Sequence, residues 1–207
     1  MTLAISRRLE KVQTHLLDSA EITRRVAESC TDSILAAASL IADAFASGGK
    51  VLLCGNGGSA ADCQHMAAEL LSRLTSHFDR PGLPAIALTT DTSFLTAFAN
   101  DIGYEGVFAR QVQALGKPGD VLIGISTSGN SPNVIRAVRA AAARHMHTIV
   151  LTGSDGPLLE TATVGISVPS AATPHIQESH VAIEHILCDL VEHELFVDKD
   201  NPATRIA

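Results

Sequence analysis

The chain reads as an α/β protein in which a parallel sheet is covered by helices on both faces. Two features predict this. Short apolar runs at about 50–55, 84–89, 120–126, 147–152 and 164–169 alternate with helical stretches at 58–73, 104–115, 132–146 and 175–197. Strands separated by helices pair in parallel, and a strand buried on both faces is apolar along its length. Two of the runs pass directly into turns built of glycine, serine, threonine and asparagine, and ligands collect at such strand-to-helix junctions.

Taken in order, residues from about 3 to 28 carry Leu3, Ile5, Leu9, Val12, Leu16, Ile22 and Val26 between charges, which approximates an amphipathic helix whose stripe needs a partner. A second helix is expected to start near Thr31 or Asp32, both acceptable N-caps, and to stop at Gly48-Gly49. Lys50-Val-Leu-Leu leads into the first turn, Cys54-Gly-Asn-Gly-Gly-Ser59, and Asp120-Val-Leu-Ile-Gly-Ile leads into the second, Ser126-Thr-Ser-Gly-Asn-Ser131. Asn100-Asp101-Ile-Gly103 could end a short helix, and Asp91 and Asp155 are read as turn caps without a chemical role. Segments 79–84 and 153–157 are turns inside one domain. The expected division is N-terminal helices over residues 1–48, the α/β domain over 49–197 and a polar tail over 198–207.

Composition narrows the function classes. With 207 residues, 46% apolar and 18% charged, the chain can bury a sizeable core and is not a disordered segment. A net charge of −7, one tyrosine and no tryptophan disfavour nucleic acid, because neither phosphate attraction nor base stacking is provided for. No run of about 18 apolar residues suggests a membrane span. Cys30, Cys54, Cys63 and Cys188 show neither disulfide-framework nor C-x-x-C spacing and read as small buried apolar residues in a reducing, cytoplasmic setting.

The two turns look like paired phosphate cradles, since backbone N–H groups and the positive helix end both point there. Hydroxyls and amides without positive charge suit a small phosphorylated sugar. On the helix after the first turn, Asp62, His65 and Glu69 share one face at i, i+3 and i+7. His65 and Glu69, four apart, can ligate one metal ion or set a base beside a proton donor, although such pairs also occur as simple helix contacts. The last helix carries Gln177-Glu-Ser-His-Val-Ala-Ile-Glu-His185. Gln177 and His185 are separated by about 12 Å of helix rise, so either Gln177 precedes the helix or the two act in different subunits. His180 and Glu184 are read as an ordinary i,i+4 pair on an exposed or interface face.

Four motifs in order, C-G-N-G-G-S-A-A-D-x-Q-H-x-A-A-E-L, A-N-D-x-G-Y, I-S-T-S-G-N-S and I-Q-E-S-H-x-x-x-x-H, resemble the phosphoheptose isomerases of the sugar isomerase (SIS) domain superfamily, nearly end to end. The resemblance implies a three-layer αβα sandwich around a flavodoxin-like, five-stranded parallel sheet, with the N-terminal helices assembling a homotetramer whose active sites lie near subunit interfaces. It implies that Glu69 and His185 exchange protons with sedoheptulose 7-phosphate to give D-glycero-D-manno-heptose 7-phosphate, the first step toward nucleotide-activated heptose. It implies one zinc ion per subunit, held by His65, Glu69, Gln177 and His185. Substrate contacts carry over to Asn56, Gly57, Gly58, Ser59, Glu69, Asn100, Asp101, Ser126, Thr127, Ser128, Ser131 and Gln177.

Two rivals remain at the level of sequence. A paralogue of this family resembles a non-catalytic tetrameric scaffold that binds the bacterial replication initiator; it lacks the proton-transfer pair, which this chain keeps as Glu69 and His185. An isomerase for another phosphorylated ketose, or a sugar-phosphate sensor, is the second, because the 126–131 loop reads phosphate and says little about sugar length. Departures from the family pattern are small: Ala68 stands where some members carry a second acid, and Cys63 and the segment beyond Val197 follow no usable pattern.

Overall fold

The computed structural model describes residues 3–197, so the expected 198–207 tail lies outside the described residues. The sheet has five strands, β1 (Val51–Gly55), β2 (Ala85–Ala87), β3 (Val121–Ser126), β4 (His147–Thr152) and β5 (Val164–Ser167), in the order β2-β1-β3-β4-β5. All neighbours are parallel. This is the predicted flavodoxin-like order, and its switch point, where successive crossovers part to opposite sides, lies between β1 and β3. Val51 pairs with Val121 and Gly55 with Ile125, so these two strands end level and their following turns emerge side by side.

Alternate strand residues feed two cores, as period-2 side-chain geometry demands. Val51, Leu53, Val121, Ile123, Ile149 and Leu151 pack beneath α2 (Thr31–Ala46), α3 (Gly58–Leu71) and α7 (Thr173–Glu192). Leu52, Cys54, Leu122 and Val150 face α5 (Val107–Leu115) and α6 (Pro132–Ala142) on the other side. In α2 the buried Ala37, Ala38 and Ala42 let the helix approach closely, while Ile34, Ile41 and Phe45 fill the space between, each large apolar side chain contributing about 1.5–3 kcal/mol.

The long first helix, α1 (Leu3–Ser29), meets α2 at an angle of 71°. Its stripe divides. Val26 is buried and Ile22 packs on the core, whereas Ile5, Leu9, Val12 and Leu16 stay half or more exposed. No single described helix is long and apolar enough to cross a membrane.

Several boundaries differ from those expected. The residue before α2 is Cys30, not Thr31 or Asp32, and it has no side-chain cap; its buried thiol donates to the Ser167 carbonyl, and the Thr31 hydroxyl turns back to the Ala27 carbonyl. Tertiary contact at the bend has displaced capping chemistry. The stretch 104–115 divides into a 3₁₀ turn, Tyr104–Gly106, and α5, while α6 stops at Ala142 ahead of the left-handed His145. The last helix starts at Thr173, earlier than expected, and closes in a π turn over His193–Val197. A helix the alternation omits, α4 (Thr92–Asp101), ends at Asn100-Asp101 and is capped, as expected of Asp91, by its carboxylate accepting from the Phe94 amide.

Candidate functional site

At the switch point the two glycine-containing turns meet through side chains. Asn56 and Asn133 exchange amide hydrogen bonds, Asn56 Nδ2 donating to Asn133 Oδ1 at 2.9 Å and Asn133 Nδ2 donating to Asn56 Oδ1 at 2.8 Å. Two further donors complete the pair: the Tyr104 hydroxyl to Asn56 Oδ1 at 3.1 Å and the Val134 amide to Asn133 Oδ1 at 3.0 Å. The cradle therefore spans both turns. Sequence reasoning gave Asn133 and Tyr104 no role; the available signal was a polar residue in the first turn of α6 immediately after the serine loop.

Within the first turn, Gly57 adopts φ +57°, the left-handed region that favours glycine, and opens α3. Gly58 lies so close to the Gln177 amide that an added methyl group would collide with it. Ser59 is buried at the base of the turn. In the second turn Ser126 Oγ and Ser131 Oγ share a hydrogen bond of 2.9 Å. Ser128 Oγ accepts from the Asn130 amide, and the Thr127 carbonyl accepts from the Gly153 amide. Gly129, at φ +63°, rests on the backbone of Asp155 and Gly156.

Below these turns, α3 and α7 bring acid–base residues together. His65 and His185 meet with Nε2 atoms 2.8 Å apart and rings nearly perpendicular, at 70°. Glu69, one turn beyond His65, is half-buried. Its end of α3 is held by Arg80, which donates to the Glu69 and Leu70 carbonyls and pairs with Glu192 of α7 at 2.7 Å, with both side chains almost wholly buried. Arg80 was not singled out by the sequence, where a lone arginine in a turn carries no pattern.

Gln177 does not precede the last helix. It lies within α7 near its start, so the two predicted positions on α7 are a regular eight residues apart, with Gln177 facing the first turn and His185 facing His65. Asn100 and Asp101 hydrogen-bond each other at the end of α4, and the link from this segment into the cradle is instead made by Tyr104.

His180 and Glu184 form no exposed pair: both are fully buried. His180 Nε2 lies 3.1 Å from the Thr152 carbonyl, its Nδ1 has no partner, and burial lowers its pKa to about 4, so it is neutral. Both Glu184 oxygens lack partners; burial, and then the nearby Asp62 charge, raise this carboxyl to about 8. Asp62 is raised by burial and lowered by His65, and its Oδ2 is also without a partner. The four cysteines are free and buried, as the sequence implied, and burial alone pushes Cys54 to about 12.

Two imidazoles, a carboxylate and an amide are a donor set that zinc accepts. Imidazole nitrogens on one tetrahedral ion with bonds of about 2.0–2.1 Å stand about 3.3 Å apart, so the His65–His185 approach is close to what such an ion requires. The described group of three His, Cys, Asp or Glu side chains whose donor atoms all lie within 4.8 Å of one another is a different one, His15, His175 and Glu178.

Comparison with known proteins bears directly on this arrangement. The SIS domain family model matches residues 15–153. The chain is 55% identical over 190 residues to the phosphoheptose isomerase of Burkholderia pseudomallei (strain 1710b), covering 88% of this chain and 95% of that protein. Among solved structures it is similar to the phosphoheptose isomerase of Neisseria gonorrhoeae, at 45% identity and a TM-score of 0.83 over 89% of this chain and 98% of that one. It is likewise similar to that of Francisella tularensis, at 38% and 0.86 over 93% and 100%. Sheet order, twin turns and the α3–α7 pairing thus occur in a chain that, by these similarities, belongs to the phosphoheptose isomerases of the SIS domain family.

Proposed function

We propose that the protein is an aldose–ketose isomerase converting sedoheptulose 7-phosphate into D-glycero-D-manno-heptose 7-phosphate. The observation that carries this reading is the meeting of His65 and His185 beneath two neutral, hydroxyl- and amide-lined turns at the β1/β3 switch point. The phosphate is received by Ser126, Thr127, Ser128 and Ser131, and the sugar by Asn56, Gly57, Gly58, Ser59, Gln177, Asn100 and Asp101. Moving the carbonyl from C2 to C1 requires a proton to leave C1 and another to reach C2 through an enediol. Glu69 and His185, on facing helices, are the groups we assign to those transfers. The scaffold reading is disfavoured by the retention of both.

His65, Glu69 and His185 would hold a zinc ion, with Gln177 reaching it from another subunit because eight residues of regular helix part it from His185; when bound, the ion polarises the carbonyl and steadies developing negative charge. Assembly as a homotetramer through residues 1–48 is supported by the exposed row Ile5, Leu9, Val12, Leu16 and Leu17 on α1, which the protomer leaves uncovered. A phosphorylated sugar substrate and four free cysteines suit a cytoplasmic enzyme.

The test is incubation with sedoheptulose 7-phosphate in D₂O, following aldose formation and deuterium uptake by NMR. Wild type should turn over, and Glu69→Gln and His185→Ala should each lose about 10²- to 10⁴-fold. Full activity in both variants would overturn the assignment of the pair; exchange with a different ketose phosphate only would overturn the substrate.

A further inference from the structure

A second cluster of donor side chains lies outside the site just described. His15, on the exposed part of α1, meets His175 and Glu178, an i,i+3 pair in the first turns of α7. His15 Nε2 is 2.7 Å from Glu178 Oε1, and His175 Nδ1 is 3.2 Å from Glu178 Oε2. The two rings face each other with centroids 4.5 Å apart. Each carboxylate oxygen is thus matched to one imidazole nitrogen, and all three donors lie within 4.8 Å of one another.

Surface carboxylates often sit near a single histidine. Convergence of two imidazoles on one carboxylate, from helices 160 residues apart in the chain (175 − 15), is a different arrangement. Two nitrogens and an oxygen are the donors of three-ligand zinc-type sites, which leave one position to water. Imidazole donors also favour first-row transition ions over magnesium or calcium. His175 is the least exposed of the three, at 13% of its side chain, so the nitrogen nearest the sandwich is partly shielded from water.

We propose that His15, His175 and Glu178 form a second divalent transition-metal site that staples α1 to α7, separate from the His65–His185 pair. The position has a mechanical meaning. Glu178 and His175 flank Gln177, whose amide packs on Gly58 of the first turn. An ion there fixes the start of α7 and the middle of α1 together.

The test uses cobalt as the probe. Metal-stripped full-length protein carrying His65→Ala and His185→Ala, which removes the other imidazole pair, is titrated with Co²⁺ while its visible absorption is followed. One Co²⁺ per chain is expected to bind, and adding His15→Ala should reduce this to none. His15 is exposed, so its loss should leave the fold intact, which circular dichroism checks. As a second measurement, backbone amides of α1 around His15 should exchange hydrogen about tenfold more slowly with metal present, and His15→Ala should abolish the difference. No Co²⁺ binding in the double variant, or binding and slowed exchange unaffected by His15→Ala, would overturn the proposal. Because the first site is deleted throughout, failure here leaves the isomerase reading untouched.

Discussion

Behind the loop after β3 lies backbone, whereas the loop after β1 meets side chains. Gly129 lies against the main chain of Asp155 and Gly156, and the Leu158 amide returns to the Gly129 carbonyl. That support is itself anchored where His180 approaches the Thr152 carbonyl at the end of β4. The loop after β1 touches the far end of the Gln177 side chain, and its helix is fixed remotely, by Arg80 at the far end of α3. On the proposed function, the backbone-backed loop would take the phosphate group, which stays unchanged in the reaction. The loop met by side chains would take the end of the sugar whose carbonyl moves.

The strongest way to break this contrast is Arg80→Met, which leaves the buried Glu192 without its charge partner and with only the Leu74 amide to hold it. A loss of about 3–5 kcal/mol is expected in chemical denaturation. The second probe is pH. Burial lowers His180 from 6.5 to about 4, so the unfolded state takes up its proton first. The associated stability is fully present above pH 6.5 and lost as pH falls through about 4, a change of up to about 3 kcal/mol. Glu184 acts in the opposite sense, its raised pKa of about 8 withdrawing stability as pH rises. Subtracting the melting curves of His180→Gln from those of wild type across this range therefore isolates the histidine; parallel curves would refute the assignment.

Smaller effects sharpen the comparison between the loops. Gly129→Ala places a methyl group 2.5 Å from the Asp155 carbonyl oxygen at a positive φ, and should cost about 2 kcal/mol or more of stability, with phosphate binding weakened in step. Gly58→Ala meets only the end of a flexible amide. Its stability should stay within about 0.5 kcal/mol of wild type while kcat/KM falls roughly tenfold, the worth of one displaced hydrogen bond. Equal stability losses at the two glycines would mean that the two loops are backed alike.

Strands were the most legible part of the sequence, because residues buried on both faces must be apolar throughout, as Val51–Cys54 and Val121–Ile123 are. Helix α4 was the least legible. None of its residues is fully buried, so no strong stripe marks it, and only its Asp91 cap and its end at Asn100-Asp101 could be read. In the site, spacing placed His65 and Glu69 on one helix face, but the approach of His185 depends on how α7 crosses α3, which no local pattern encodes. The same limit applies to Glu184 and His180. An i,i+4 pair of titratable residues is ordinarily solvated, and only the packing of α7 on the sheet side reveals that both are enclosed.

The reciprocal Asn56–Asn133 pair has one further consequence. Rotating either amide by half a turn would set donor against donor and acceptor against acceptor, so a single flip is forbidden. Rotating both at once would restore the exchange, leaving two mirror arrangements of equal energy. The Val134 amide removes that degeneracy, because an N–H can only donate and needs an oxygen where the rotated Asn133 would present a nitrogen; the Tyr104 hydroxyl, able to donate or accept, then follows as the donor to Asn56 Oδ1. The junction between the turns is thereby polarised in one sense only, and the ligand meets a surface whose handedness is already chosen.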